Sequence, residues 1–305
     1  MRRKPIAIVL ALVALLVTST VALGGAPAEN SKAWHAQDHR VIEKTVSIPA
    51  GDHQIPGTFA YPKNGGSKAQ YPAVLMLHGF GSSRDEVGNM YLNEARALAL
   101  RGYASLRIDF AGSGASTQPF TANTYDGMLT DSRTALNWLI ARPNTRDGRI
   151  GVLGFSLGGK LAIDLAGTDT RIKALATWSG ANENGMGSLS FLESYRAAAN
   201  AADHVVVDLG WRTVDLSKAW FDTMTASLSL THLAAYVNPL LAVAGALDTT
   251  VNPQVSRNTI GASGSFDATL RIIRGADHIY LVLTPDPKLS NLCIDLTAKW
   301  FAEKL

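Results

Sequence analysis

The chain has 305 residues, of which 47% are hydrophobic and 17% are charged. This composition supports a sizeable buried core and excludes a globally disordered chain, and the length suits one large α/β domain or two small ones. The 28 Lys and Arg residues and 25 Asp and Glu residues give a net charge of +3, with the basic residues scattered along the chain. Because there is no dense basic run, we expect no nucleic-acid partner.

Residues 1–28 have the pattern of an export signal. Residues 2–4 are all basic, residues 6–23 are largely apolar, and Ala26 and Ala28 supply the small residues that a signal peptidase recognises. We therefore expect cleavage after Ala28, a secreted or periplasmic location, and no stable membrane association of the mature chain. The alternative is an uncleaved N-terminal membrane anchor, because residues 6–23 are just long enough to span a bilayer.

Residues 29–40 are polar and are interpreted as a lead-in to a single domain over residues 41–305. In that domain, strand and helix patterns alternate. The predicted strands cover residues 41–48, 54–61, 73–77, 103–108, 150–155, 174–178, 240–244 and 269–273. The predicted helices cover residues 91–100, 128–142, 157–166 and 289–303. This alternation predicts an α/β fold with a mainly parallel central sheet flanked by helices.

One interval is too long for a single helical crossover. About sixty residues separate Trp178 from Pro239, whereas a crossover needs far fewer. The interval contains a helical pattern over residues 191–202, a hairpin pattern over residues 204–215, and a further helical stretch from Lys218. We interpret residues 181–237, approximately, as a small cap inserted over the carboxyl-terminal edge of the sheet.

The strongest chemical signal is a G-x-S-x-G sequence formed by Gly154, Ser156 and Gly158. It lies between an apolar strand pattern and a helical pattern, which is the context that makes this motif meaningful. The turn from strand to helix must be tight, and glycine on either side leaves room for the neighbouring backbone. The helix N-terminus also favours developing negative charge at the serine. The sequence therefore predicts Ser156 as a nucleophile.

A serine hydroxyl needs a base and an acid that orients the base. His278 is the only histidine after residue 232 and follows the last predicted strand, while Asp248 follows the strand before it. The order Ser156, Asp248, His278 fits this motif. Asp277 competes as the acid, but adjacent residues rarely place a carboxylate against the far imidazole nitrogen. Asp267 precedes the last strand, at the other edge of the sheet, so we predict Asp248.

Two backbone N–H groups are expected to bind the negative oxygen that forms during the reaction. Leu157 directly follows the nucleophile, and Phe80 lies in the loop after the strand over residues 73–77. His78 is interpreted as shaping that loop, and Asp109 as tying the next loop to its neighbours. The histidines show no metal-ligand spacing, and there is no dinucleotide-binding loop, so we expect no metal and no cofactor.

The chain resembles the α/β-hydrolase superfamily from about residue 41 to its end. The motifs that carry the resemblance are His78-Gly79-Phe80, Asp109 to Gly114, Gly154 to Gly158, and Asp248 with His278. It looks most like bacterial carboxylesterases and cinnamoyl or feruloyl esterases, which also carry a small cap. The resemblance implies the α/β-hydrolase fold and a Ser-His-Asp acyl-enzyme mechanism on small-molecule carboxylic esters, with aromatic (cinnamoyl-type) or short acyl groups.

The same core motifs occur in serine aminopeptidases and prolyl-oligopeptidase-like domains, so a serine exopeptidase acting on small peptides is the alternative function. Such an enzyme needs an acidic group for the substrate's free amine. The candidates in the cap are Glu183, Glu193, Asp203 and Asp208. The sequence leaves the substrate-binding residues and the oligomeric state open.

Overall fold

The structure, a computed structural model, describes residues 38–65 and 69–305. The predicted signal peptide over residues 1–28 and most of the predicted lead-in over residues 29–40 lie outside the described residues. Within the described ranges, we find no helix whose length and hydropathy would let it span a bilayer.

Eight of the strands in the described part of the chain form one sheet. The strands are β1 (Val41–Ala50), β2 (His53–Pro62), β3 (Tyr71–Leu77), β4 (Ala104–Ile108), β5 (Thr145–Phe155), β6 (Ile172–Trp178), β7 (His204–Asp208), β8 (Thr213–Ser217), β9 (Leu240–Gly245) and β10 (Ala268–Ile273). The sheet order is β1-β2-β4-β3-β5-β6-β9-β10. The strands from β4 to β10 in this order run parallel, whereas β2 is antiparallel to both β1 and β4. The predicted mainly parallel sheet is confirmed.

Helices cover the sheet and contribute to two large buried clusters. The helices are α1 (Met90–Ala99), α2 (Tyr125–Ile140), α3 (Leu157–Thr168), α4 (Arg196–Ala202), α5 (Lys218–Ala226), α6 (Ser229–Leu233), α7 (Pro253–Ala262) and α8 (Lys288–Lys304), with 3-10 turns at Asp38–Arg40, Lys63–Gly65, Val87–Asn89, Phe120–Ala122 and Gly187–Tyr195. Apolar residues of α2 and α3 belong to one cluster. Those of α1 and α8 belong to the other. The sheet therefore lies between two helical layers.

Three local differences from the predicted elements have identifiable causes. Helix α2 begins at Tyr125, earlier than predicted, because the Thr124 side chain accepts a hydrogen bond from the Gly127 N–H and caps the helix there. The single helix predicted over residues 191–202 is a 3-10 segment followed by α4. Helix α7 was not predicted, although Asn252 caps it and a proline occupies its first turn, which is a recognisable start signal.

The interval between β6 and β9 contains the β7–β8 hairpin and helices α4, α5 and α6. The hairpin is antiparallel, with His204 opposite Ser217. Trp220 and Phe221 of α5 are buried and belong to the same cluster as α2 and α3. The interval is therefore packed onto the main core on the α2–α3 side of the sheet. We call residues 181–237 the cap below.

Candidate active site

Ser156 lies at the junction of β5 and α3 in a strained backbone conformation. Its φ is 52° and its ψ is −118°, a region that typically costs a non-glycine residue about 1–3 kcal/mol. A Cβ on Gly154 would lie 2.0 Å from the carbonyl oxygen of Gly158, and one on Gly158 would lie 1.9 Å from that of Leu77. Both glycines are required because the turn passes directly against neighbouring backbone.

The structure brings the three predicted reactive side chains into one chain of contacts. Ser156 Oγ lies 3.2 Å from His278 Nε2, and His278 Nδ1 lies 2.9 Å from Asp248 Oδ2. The other carboxylate oxygen of Asp248 accepts hydrogen bonds from the N–H groups of Thr250 and Val251. In the tautomer that satisfies both contacts, Nδ1–H donates to Asp248 and Nε2 accepts from the serine hydroxyl. This arrangement can remove a proton from Ser156 as it attacks.

Asp277 and Asp267, the competing acids, have other partners. Asp277 Oδ1 accepts hydrogen bonds from the N–H groups of Ile279 and Leu281, at 3.1 and 2.8 Å. Leu281 has a φ of 55°, so Asp277 stabilises a strained turn directly after His278. Asp267 precedes β10 and pairs with a lysine of α8. In this structure, Asp248 is the acid placed against the imidazole.

Tyr280 anchors the loop that carries His278. Its hydroxyl donates to the carbonyl oxygen of Val243 in β9 at 3.1 Å and accepts from the Ser179 hydroxyl at 3.1 Å. Burial raises the pKa of Tyr280 well above its usual value, so the side chain stays neutral. The bonds connect the loop to β9 and to the end of β6. Sequence reasoning missed this residue, because a buried tyrosine has no motif of its own.

The loop containing Phe80 is shaped by His78, as the sequence predicted. His78 Nδ1 donates to the carbonyl oxygen of Gly79 at 2.8 Å, and the Phe110 N–H donates to Nε2 at 3.2 Å. Burial lowers the pKa of His78, which favours this neutral tautomer. The Gly79 carbonyl and the Phe80 N–H belong to one rigid peptide plane. His78 therefore constrains the direction in which the Phe80 N–H points.

Glu86 holds the same loop from its other side. Its carboxylate accepts hydrogen bonds from the Gly79 N–H at 2.7 Å and from the Ser82 hydroxyl. A Cβ on Gly79 would lie 3.4 Å from the Cβ of Ser156, so this loop runs directly against Ser156. Sequence reasoning missed Glu86, because its partners are a backbone group and a loop serine rather than a motif.

The two predicted oxyanion donors each lie next to a residue at the Ser156 turn. Phe80 follows Gly79, and Leu157 is the first residue of α3. In residues 38–65 and 69–305, no backbone hydrogen-bond partner is found for the N–H of Phe80 or of Leu157. Both groups can therefore donate to a bound oxygen, and the dipole of α3 adds to the effect at Leu157.

Asp109 joins the loops after β3 and β4. Its two carboxylate oxygens accept hydrogen bonds from the N–H groups of Arg84 and Ala115, at 2.7 and 2.9 Å. Its Oδ2 also pairs with the Arg84 guanidinium at 3.0 Å. A Cβ on Gly114 would lie 2.2 Å from Asp109 Oδ1. The glycine thus makes room for the carboxylate, in line with the supporting role predicted for Asp109.

A second buried polar cluster lies farther along α3. Asp164 accepts hydrogen bonds from the hydroxyl groups of Tyr125 and Ser229, at 2.9 and 3.3 Å, and lies 2.5 Å from His232 Nδ1. Burial lowers the pKa of Lys160, one turn before it, to about 8. The cluster joins α3 to α2 and α6. The sequence offered no signal for it, since its members come from three separate segments.

Three of the four acidic cap residues that the sequence suggested for binding an amine have partners within the cap. Glu183 accepts two hydrogen bonds from Ser188, both at 2.6 Å. Glu193 pairs with Arg196 at 2.6 Å, which lowers the pKa of that carboxyl group. Asp208 accepts a backbone hydrogen bond in its own turn. An amine of a substrate would have to compete with these bonds.

Histidines and acids elsewhere form pairs rather than metal-ligand sets. In the described residues, no group of three or more His, Cys, Asp or Glu side chains could hold a metal ion. His53 contacts Asp52 at 2.9 Å and Asp131 at 3.0 Å through its two ring nitrogens. The two carboxylates therefore lie on opposite sides of the ring and do not converge on one point.

One aromatic side chain of the cap and one of the loop after β4 pack against the Phe80 ring. The Phe80 ring lies 5.9 Å from that of Phe120 and 5.5 Å from that of Trp220. Trp220 is buried, whereas Trp211 at the hairpin tip is 64% exposed and Phe191 is 46% exposed. Phe120 and Trp220 therefore give the Phe80 ring apolar neighbours, whereas Trp211 and Phe191 lie on the surface of the cap.

A family model described as the alpha/beta hydrolase fold matches residues 72–206 of this chain. The putative hydrolase YtaP of Bacillus subtilis is 29% identical over 157 residues, covering 45% of this chain and 52% of that protein. Dipeptidyl aminopeptidase BIII of Pseudoxanthomonas mexicana is 29% identical over 206 residues, covering 65% of this chain and 28% of that protein. The chain therefore matches about half or less of the length of these curated relatives.

Among solved structures, Est1E from Butyrivibrio proteoclasticus with bound ferulic acid is similar to this chain. The TM-score is 0.71 at 20% sequence identity, and the alignment covers 85% of this chain and 98% of Est1E. At this identity, the likeness concerns the fold. Together with the family model, it confirms the predicted α/β-hydrolase fold.

Proposed function

We propose that this chain, which has the α/β-hydrolase fold, is a serine hydrolase that cleaves carboxylic esters through an acyl-enzyme. The observation that carries the proposal is the pair of contacts from Ser156 Oγ to His278 Nε2 at 3.2 Å and from His278 Nδ1 to Asp248 at 2.9 Å. A hydroxyl in contact with an imidazole that a carboxylate orients is the arrangement that activates serine in acyl transfer.

In the proposed reaction, Ser156 Oγ attacks the ester carbonyl carbon while His278 Nε2 takes the hydroxyl proton. The N–H groups of Phe80 and Leu157 stabilise the resulting oxyanion, and losing one such donor typically costs about 3 kcal/mol in the transition state. The bond to the alcohol oxygen then breaks, and the alcohol leaves with the proton from Nε2. Water next attacks the acyl-serine and gives a proton to Nε2, which returns it to Ser156 as the carboxylic acid leaves. Asp248 stabilises the charged imidazole throughout.

Two observations support an ester substrate over a peptide. The solved structure of Est1E contains ferulic acid, which favours an aromatic (cinnamoyl-type) acyl group here. Glu183, Glu193 and Asp208 are already bonded within the cap, so they are poorly suited to binding a free amine. A serine exopeptidase is the second candidate, favoured by the likeness to a dipeptidyl aminopeptidase.

The first experiment compares rates on p-nitrophenyl butyrate, methyl ferulate and aminoacyl p-nitroanilides. We expect the esters to react and Ser156→Ala to lower kcat at least about ten-thousandfold. Ser113→Ala is the matched control, because Ser113 is a buried serine of the neighbouring loop whose hydroxyl lacks a protein partner in the described structure. Labelling of the parent by a fluorophosphonate should be lost only in Ser156→Ala. Faster cleavage of the anilides, or unchanged ester hydrolysis by Ser156→Ala, would contradict the proposal.

The proposal also places the enzyme outside the cytoplasm. Residues 1–28 would direct export, and a signal peptidase would cleave after Ala28. N-terminal sequencing of the protein recovered from the medium or periplasm should then begin at Glu29. Recovery of the full-length chain in the membrane fraction would instead support the N-terminal anchor.

A further inference from the structure

The tip of the β7–β8 hairpin reaches the loops that follow β3 and β4. Arg212, at this tip, donates from Nη1 to the carbonyl oxygen of Gly81 at 2.6 Å and from Nη2 to the carbonyl oxygen of Gly112. Its guanidinium carbon lies 5.1 Å from the centre of the Phe120 ring. A single cap side chain therefore joins two loops that lie 131 and 100 residues before it in the sequence.

The first of these loops contains the proposed oxyanion donor. On the amino-terminal side of Phe80, the Gly79 carbonyl is held by His78 and the Gly79 N–H by Glu86. On the carboxyl-terminal side, the carbonyl of Gly81 is held by Arg212. Phe80 thus lies between a segment held by core residues and a segment held by the cap.

The second contact strengthens the first. Gly112 belongs to the loop after β4, and a Cβ there would lie 2.4 Å from the Phe120 Cα. Phe120 in turn packs against the Phe80 ring, with 5.9 Å between the ring centres. By bonding to Gly112 and packing on Phe120, Arg212 also holds the surface against which the Phe80 side chain rests.

We propose that Arg212 is a positioning residue that couples the cap to the oxyanion loop, holding Gly81 and thereby the direction of the Phe80 N–H. The inference rests on the proposed function, because that function gives the Phe80 N–H its part in acyl transfer. A planar guanidinium presents two N–H donors in a fixed fork, whereas the ammonium group of lysine is a compact point charge. The clamp on two carbonyl oxygens therefore requires arginine.

The test compares Arg212→Gln and Arg212→Lys with Arg196→Gln. Arg196 is a suitable control, because it is also a cap arginine that packs on an aromatic ring and donates to a backbone carbonyl, but its partners all lie within the cap. Each purified variant is assayed for kcat and KM on p-nitrophenyl butyrate, for the rate of fluorophosphonate labelling, and for its melting temperature. Arg212→Lys keeps the charge and most of the aliphatic part of the side chain. It therefore still tests the role of Arg212 if Arg212→Gln has a lowered melting temperature.

We expect both Arg212 variants to lose about 10- to 100-fold in kcat, as misplaced catalytic geometry typically does, with KM changed less than about threefold. Labelling should slow in parallel, because the phosphoryl oxygen of the probe occupies the oxyanion site. Arg196→Gln should retain kcat and the labelling rate within about twofold, as expected when a substitution leaves the reacting groups in place. A loss confined to KM would place Arg212 in substrate binding and overturn the inference.

If Arg212→Lys had the kcat and the labelling rate of the parent, the inference would also be overturned, because one ammonium group would then do the work of the two-carbonyl clamp. That result would leave the proposed function intact. A parent protein that labels at Ser156 but hydrolyses no ester would contradict the ester proposal. The labelling rates would still decide the role of Arg212 in that case. The two failures are therefore distinguishable.

Discussion

Two buried carboxyl groups, in different regions of the same fold, have opposite surroundings. Asp248 lies at the carboxyl-terminal edge of the sheet, is 5% exposed, and bonds to His278 and to the N–H groups of Thr250 and Val251. Glu94 lies in α1 on the α8 side of the sheet and is fully buried. Within the described residues, neither of its carboxylate oxygens has a hydrogen-bond partner.

The difference shows what a buried acid needs in order to do chemistry. Removal from water disfavours a negative charge unless donors replace the lost solvation. At Glu94 burial is the main cause and raises the pKa well above its usual value, so the neutral form is favoured. At Asp248 three donors surround the carboxylate, so it can face an imidazole that would become charged in the proposed reaction.

Asp164 provides an intermediate case. It is as buried as Glu94, and it accepts hydrogen bonds from Tyr125 and Ser229 and contacts His232. Its partners therefore resemble those of Asp248 in number, but they lie away from the nucleophile. If the comparison is correct, a substitution at Asp248 should change catalysis, whereas substitutions at Asp164 and Glu94 should change stability.

The largest expected effect is on catalysis at Asp248. In Asp248→Asn, the oxygen can still accept the N–H groups of Thr250 and Val251, so the amide NH₂ faces His278 Nδ1. The imidazole must then carry its proton on Nε2 and cannot accept one from Ser156. We expect kcat to fall about ten-thousandfold with little change in stability, as for the equivalent change in other triads. Steady-state kinetics and urea unfolding measure the two quantities.

Asp277→Asn is the control for this prediction, because Asp277 is the neighbouring acid and its oxygen bonds only to backbone N–H groups in the described contacts. An asparagine oxygen can keep those bonds, so we expect a loss in kcat of no more than about tenfold. If Asp277→Asn were the more damaging of the two, the assignment of the acid would be wrong.

The next effect is on stability at Asp164. In Asp164→Asn, one acceptor oxygen becomes a donor facing two hydroxyl groups, and the charge beside His232 is lost. We expect the free energy of unfolding to fall by about 1–3 kcal/mol, with kcat at low temperature within about threefold of the parent. Urea unfolding would measure the free energy of unfolding, and steady-state kinetics at low temperature would measure kcat. A hundredfold loss of kcat with unchanged stability would move Asp164 into the reacting region.

The smallest effect, and the one of opposite sign, is at Glu94. Its pKa is raised above the ordinary 4.5, so the folded protein holds a proton that the unfolded chain releases. This contribution is complete below pH 4.5 and declines as the pH rises towards the folded-state pKa, by about 1.4 kcal/mol per pH unit. We expect Glu94→Met to raise the free energy of unfolding by about 1–2 kcal/mol near pH 5, and by more at pH 7 and pH 8, roughly.

Glu94→Gln separates the effect of ionisation from the effect of burying an unpaired polar group, because glutamine cannot ionise but still buries a polar group. Unfolding of all three proteins in urea between about pH 5 and 8 is the measurement. The parent should lose stability relative to both variants as the pH rises, while methionine should exceed glutamine at every pH. Equal pH slopes in all three proteins would show that Glu94 ionises freely in the folded state.

Much of the fold and of the candidate site could be predicted from local patterns. The apolar runs and caps predict elements because backbone hydrogen bonding and burial act over a few residues, and the glycines around Ser156 mark a turn that no larger residue fits. His278 and Asp248 could be placed at the ends of consecutive strands of a parallel sheet, where side chains meet. Helix α7 was missed although Asn252 and Pro253 mark its start, so that error lay in the interpretation.

Other features depend on partners that have no residue-type signature. Arg212 bonds to backbone carbonyls of Gly81 and Gly112, and any residue could supply such a group. Glu94 has the spacing of an ordinary helical residue, and its burial follows only from the packing of α1 against α8. The sequence by itself predicted Ser156 as the nucleophile and determined the type of most main elements, because these depend on neighbours along the chain. Which acid faces the imidazole, which acid is left without a partner, and where the cap contacts the catalytic loops were decided by the tertiary structure, because these depend on distances between segments far apart in the chain.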